Sequence, residues 1–169
     1  MTITEVIFPK LKPDQALLKQ LATTLPTAAK TTFSSVPGLS SYYRGKVIEA
    51  QNVSQAAKLD HSGLVLVLDS GSTTTSNYTQ YIKVENLGSE DKSVENSWSN
   101  LIREIGLDAK SFHAWGVQES DGAFMGMIGW SSLEILKSKN EKEFVKKALH
   151  QLTKHGDVTA FVLELSKQS

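Results

Sequence analysis

The chain has 169 residues, 40% of them hydrophobic and 21% charged, with 18 Lys+Arg balanced by 18 Asp+Glu and no cysteine. There is enough apolar material for a core, which excludes an intrinsically disordered chain. Zero net charge supplies no basic face for nucleic acid, and without cysteine there is no disulfide, thiolate nucleophile or thiolate-bound metal. No run of about 18 apolar residues is present, so no membrane span is expected. The first residues, MTITEVIFPKLKP, lack the basic-then-apolar pattern of a signal peptide, and a cytoplasmic globular protein is expected.

In chain order, Ile3–Pro9 alternates and then meets a proline, as a short strand near a sheet edge does. Asp14 is placed to cap a helix whose Leu17, Leu18, Leu21 and Leu25 share a face; Pro26 should kink or restart it, Phe33 and Val36 extend the face, and Pro37-Gly38 stop it. Leu39–Glu49 reads as a strand. Asn52–Leu59 has room for a helical turn or two, and Gly63–Ser70 carries five consecutive aliphatics, the pattern of a strand buried on both faces. Ser70–Asn77 (SGSTTTSN) is low in complexity and reads as a linker.

Beyond it, Tyr78–Glu85 is a strand. Ser93 caps a helix that runs through Ile105, with Val94, Trp98, Leu101, Ile102 and Ile105 on one face and Gly106 as its stop. Phe112–Glu119 and Ala123–Trp130 form a hairpin across Asp121-Gly122. Ser131-x-x-Glu134 has the form of a capping box. Asn140 is placed to cap a helix Glu141–His155 with inner residues Phe144, Val145, Ala148, Leu149 and Leu152, and Val158–Leu165 closes the chain as a strand. Residues 77–169 therefore spell β-α-β-β-α-β, a ferredoxin-like half, and residues 1–76 spell a shortened β-α-β-β copy. A short echo supports the repeat: Tyr43-Arg44-Gly45-Lys46-Val47 parallels Ala114-Trp115-Gly116-Val117-Gln118, each leading to a Glu. The expected fold class is α+β, with the two pseudo-repeats packed as an α+β barrel within one chain.

The segment Phe112–Glu134 (FHAWGVQESDGAFMGMIGWSSLE), with an acidic-containing turn, a strand ending in Gly129-Trp130 and a Ser-x-x-Glu helix start, resembles the antibiotic-biosynthesis monooxygenase-like proteins of the dimeric α+β-barrel superfamily, most of all the fungal members with tandem halves. The resemblance covers residues 77–167 well and the first half loosely. It implies a barrel with helices on its outer face and a small-molecule pocket between sheet and helices. It also implies a cofactor-independent oxygenase, or a cyclase or isomerase, acting on an aromatic or polyketide-like substrate in secondary metabolism. Pairing to a homodimer is compatible with it. The alternative is a non-catalytic ligand-binding or stress-related barrel, because a fold does not fix a function.

Strand parity puts His113 and Trp115 on one face. An imidazole titrating near neutrality suits the proton acceptor, with Trp115 as a wall of the pocket; the plain structural alternative is a core histidine bonded to a carbonyl beside a packing tryptophan. Trp98, Met125, Phe144 and Trp130 are the further candidate lining, against an alternative role as ordinary core. Phe124, Ile128 and Trp130 share one strand face and Met125 and Met127 the other, while Gly126 and Gly129 leave room for a ligand or a bend. On the first half's matching strand, Tyr43 points opposite to Tyr42 and Arg44; Arg44 has the planar fork to hold a phenolate, enolate or carboxylate, or else it covers apolar surface with its stem. His61 precedes a strand, His155 falls eleven positions after Phe144 and hence on the same helical face, and His150 falls on a polar face. No histidine pair has metal-ligand spacing, and no phosphate loop, nucleophile elbow or dinucleotide fingerprint occurs, so no metal or cofactor is expected. A single axial ligand to haem, His155 or His113, is the one cofactor arrangement left open.

Overall fold

Strands from both ends of the chain hydrogen-bond into one antiparallel sheet in the computed structural model, which describes residues 4–7, 16, 20, 23–24, 27–28, 31–33, 37, 41–51, 64–69, 76, 78–87, 93–106, 110–117 and 121–168. The strands are β1 (Thr4–Ile7), β2 (Ser41–Gln51), β3 (Leu64–Asp69), β4 (Tyr78–Glu85), β5 (Lys110–Trp115), β6 (Phe124–Trp130) and β7 (Asp157–Gln168), in the order β1-β3-β2-β7-β4-β6-β5. The helices with full bounds are α1 (Ser93–Ile105), α2 (Leu133–Asn140) and α3 (Glu143–Leu152). The protein is thus α+β, and β4-α1-β5-β6-α2-α3-β7 is the β-α-β-β-α-β unit that the sequence spells. Within it β6 lies between β4 and β5, and β4 lies between β6 and β7, so each helical segment is a crossover between parallel strands.

The two halves join where β2 pairs with β7, from Tyr42 opposite Gln168 to Gln51 opposite Ala160, with a bulge between Val47 and Glu49. Gly45 is required at this seam, since a Cβ there would run into the Glu164 carbonyl and stand 2.7 Å from Leu165 Cδ2. Among the described residues the sheet is open, with β1 and β5 as its two ends. Of the first-half helix, the described positions 16, 20, 23–24, 27–28 and 31–33 are helical; its leucine face lies outside the described residues. So do the turns expected at Asn52–Leu59, His61 and, apart from Ser76, the linker Ser70–Asn77.

Alternation divides the sheet into two faces. Ile82, Val84, Phe124, Ile128, Trp130, Val158, Ala160 and Val162 turn toward Val94, Trp98, Leu101 and Ile105 of α1, Leu136 of α2 and Val145, Ala148 and Leu152 of α3, forming the main core. Tyr43, Val67, Tyr81, Met127, Phe161, Leu163 and Leu165 form a second apolar cluster on the opposite face, with Phe112 and Met125 packed against it. Burying these two sets is the principal stabilising term, at about 25 cal/mol per Å² of apolar surface.

Local expectations are corrected at three places. The N-cap of α2 is Ser132, whose Oγ accepts from the Ile135 amide at 3.3 Å, so the cap sits one residue beyond Ser131. Ser132 also hydrogen-bonds the Glu134 carboxylate and holds its pKa below the ordinary value. Asn140 ends α2 instead of capping the next helix: Glu141 N–H donates to the Lys137 carbonyl at 3.0 Å, and extended Lys142 precedes α3. Phe144 then falls off the inner stripe, which is Val145, Ala148 and Leu152; it is 46% exposed, with the Lys142 ammonium over its ring. Since α3 stops at Leu152, His155 lies in the turn that follows and shares no helical face with Phe144.

Candidate functional site

The outer strand β5 carries the candidate site. It pairs with β6, Gly116 N–H donating to the Ala123 carbonyl at 2.7 Å, and Asp121 and Gly122, the latter with φ +75°, form a turn in the connection. The strand runs from Lys110 to Trp115, two residues earlier at its start than the alternation suggests and ending before Glu119. His113 then pairs with Gly126 and Trp115 with Phe124. Both side chains project to the face that carries the helices, next to α1.

Four rings meet there. Trp98 of α1 packs edge-on to Phe124 at 5.8 Å between centroids; the His113 imidazole stacks on Phe124 at 5.6 Å and lies 6.3 Å from Trp98. Trp115 meets Phe124 edge-on at 5.8 Å. Gly126 makes this assembly possible, because a Cβ at that position would overlap the six-membered ring of Trp98. The strand glycine thus gives its space to an indole of the protein itself. Glu95, one turn before Trp98, accepts a hydrogen bond from Trp115 Nε1 at 2.6 Å, a charge-assisted contact that fixes the indole's orientation.

The result is an aromatic platform with an imidazole at its edge. Trp98 and Phe124 are buried beneath, while His113 and Trp115 are exposed at the sheet's end. Among the described residues nothing hydrogen-bonds to the His113 imidazole, and the side chain is exposed, unlike a core histidine.

The structure brings His113, Trp115 and Trp98 together and separates them from the other candidates. Met125 projects to the opposite face of the sheet and packs against the second cluster, as does Tyr43. Trp130 shares the helix-side face but pairs with Tyr78 at the far end of β6, fully buried in the main core. Phe144 is on the outer surface of α3. Arg44 shares the helix-side face with Tyr42, yet β2 is four strand spacings from β5, about 19 Å at ~4.8 Å each. No line of reasoning from the sequence singled out Glu95; its place three residues before Trp98 on one helix is the signal that identifies it.

Among the described residues, no three His, Asp or Glu side chains gather where they could hold a metal ion, and no helix is long and apolar enough to cross a membrane. Set beside known proteins, the chain matches no family model, no curated protein and no solved structure.

Proposed function

We propose that the chain is a small-molecule enzyme that needs no cofactor, an oxygenase or a cyclase/isomerase acting on an aromatic or polyketide-like substrate, with His113 as the proton acceptor. One observation carries the reading: an exposed imidazole, with no hydrogen-bonding partner among the described residues, lies beside Phe124 with ring centroids 5.6 Å apart and planes inclined by 27°, flanked by Trp98 and by a Trp115 that Glu95 holds in place. A flat substrate stacking on this platform would desolvate its own acidic C–H or O–H and the imidazole together. The proton passes to His113, leaving an enolate, phenolate or carbanion in the substrate. In an oxygenase that anion gives an electron to O₂; in a cyclase it attacks an internal carbonyl.

The resemblance of Phe112–Glu134 to the antibiotic-biosynthesis monooxygenase-like proteins supports the same reading. So does the strand order, since β1-β3-β2 repeats the order of β4-β6-β5, as two ferredoxin-like halves with the fourth strand missing from the first would. Closing such a sheet into a barrel would enclose the second cluster, and this favours the other reading, a binding protein without chemistry. Tyr43, Tyr81, Met127 and Phe161 offer an apolar lining with no base among them.

Incubation with aromatic polyketides, with and without O₂, followed by product analysis tests the proposal. His113→Ala should abolish turnover while lowering stability by only about 1 kcal/mol, because the ring is exposed. Full activity in that variant removes His113 from the mechanism; ligand binding without turnover in the native protein favours the binding reading.

A further inference from the structure

A second group of reactive side chains lies apart from the aromatic platform, where the turn after α3 meets α1. His155 Nε2 is 2.8 Å from Ser97 Oγ, and its Nδ1 is 3.0 Å from Ser93 Oγ. Ser93 and Ser97 are one helical turn apart on α1, so one imidazole bridges two hydroxyls along the same stripe. Glu95 and Trp98 leave the helix in other directions, toward β5.

We propose that Ser97 is an activatable nucleophile with His155 as its general base, forming an acyl-enzyme with small activated acyl esters. The two contacts suit this task in one tautomer. With the ring proton on Nδ1, that nitrogen donates to Ser93 Oγ, and Nε2 is left to accept from Ser97 O–H, the arrangement of a nucleophile, a base and an orienting third group. Ser93 is a positioning residue here: it holds the tautomer. In the reaction Ser97 Oγ forms a bond to the acyl carbon, its proton passes to His155 Nε2, and the ester's alkoxide or phenolate departs, taking the proton back from the imidazolium. Ser97 and His155 are both half-buried, which shields the hydroxyl from bulk water without sealing it off. Among the described residues the orienting group on Nδ1 is the Ser93 hydroxyl, and slow acylation with long-lived modification is the expected behaviour.

The test is covalent labelling of the whole chain with a fluorophosphonate and, separately, with p-nitrophenyl acetate, mapped by peptide mass spectrometry. Exposed Ser99 on the same helix is the internal control. Ser97 should carry close to one equivalent of label, and His155→Gln, which keeps a hydrogen-bonding side chain in the turn, should slow its modification by about 10²-fold or more. Ser93→Ala should slow it less, and His113→Ala should leave it unchanged, which separates this centre from the platform. Labelling of Ser97 no faster than Ser99, or undiminished in a His155→Gln protein with native circular dichroism, overturns the proposal and leaves the three residues as a tie between α1 and the turn. If His155→Gln does not fold, the ratio of Ser97 to Ser99 labelling in the native protein decides by itself.

Discussion

Replacing Gly126 by alanine probes the contact on which the aromatic platform is built. The added Cβ would stand 2.9 Å from Trp98 Cε3 and nearer still to Cζ3 and Cη2, so three atoms of a rigid ring would have to move. The ring has nowhere to withdraw: Trp98 is 2% exposed, with Phe124 edge-on at 5.8 Å and His113 at 6.3 Å. Overpacking of this kind costs about 1–3 kcal/mol, against a gain of roughly 0.4–1 kcal/mol from restricting the unfolded chain, leaving a net loss of about 1–2 kcal/mol. For a chain of 169 residues that lowers the melting temperature by about 2–8 °C. Urea titration followed by tryptophan fluorescence and by far-UV circular dichroism measures the loss. Trp98→Ala identifies its source, because in that background the added methyl meets an empty space and Gly126→Ala should become neutral or stabilising. A Gly126→Ala protein as stable as the native one, or equally destabilised with and without Trp98, would refute the reasoning.

Other consequences are as direct. Phe144→Ala should change stability by less than about 0.5 kcal/mol, as surface substitutions do, whereas Leu152→Ala on the inner stripe should cost about 2–5 kcal/mol in the same denaturation assay. Burial raises the pKa of the Tyr81 phenol well above its ordinary 10.0, with the Glu85 carboxylate adding to the effect. The native state therefore holds a proton that the unfolded chain releases near pH 10, so this contribution to stability is complete below that value and falls as the pH rises beyond it. Tyr81→Phe should flatten the alkaline limb of the stability profile; an unchanged limb counts against the assignment.

Much of the C-terminal half could be read from the residues, and the reason is local. The strand Tyr78–Glu85 coincides with the observed one, and α1 ends at Ile105 as expected while starting at Ser93 itself, one residue earlier than a Ser93 cap implies; Gly106, with φ +92°, sets its C-terminal end. The alternation within β5 and within β6 was equally legible, since a strand admits only two faces, but their register was not: a tight turn at Ser120-Asp121-Gly122 would set Glu119 opposite Ala123, whereas Gly116 meets Ala123 and His113 pairs with Gly126. Reading failed where neighbouring residues competed for one role. Two adjacent serines offered to cap α2, and Ser132 wins because its hydroxyl reaches both the Ile135 amide and Glu134. Phe144 and Val145 both suited the inner stripe of α3, and the later helix start settles it for Val145. The candidate site failed in another way. Met125, Tyr43 and Arg44 are chemically suitable, yet only strand order shows that they belong to another face or another part of the sheet, and strand order has no signature in composition.

The placement of His113 turns on one residue of register. Pairing Ser111 with Ile128 sends His113 and Trp115 toward α1 and sends Phe112 and Ala114 to the opposite face. A slip by one that set His113 opposite Met127 would exchange the two sets, put the imidazole beside Tyr81, and bring Ala114 opposite Gly126 and the Trp98 ring. Two features oppose that slip: the Trp98 ring fills the space over Gly126, opposite His113, and Glu95 accepts from the Trp115 indole in the observed register. The same features that hold β5 in place therefore decide on which face of the sheet the His113 imidazole stands. The chemistry proposed for His113 would take place on the helix side, away from the apolar cluster of the other face.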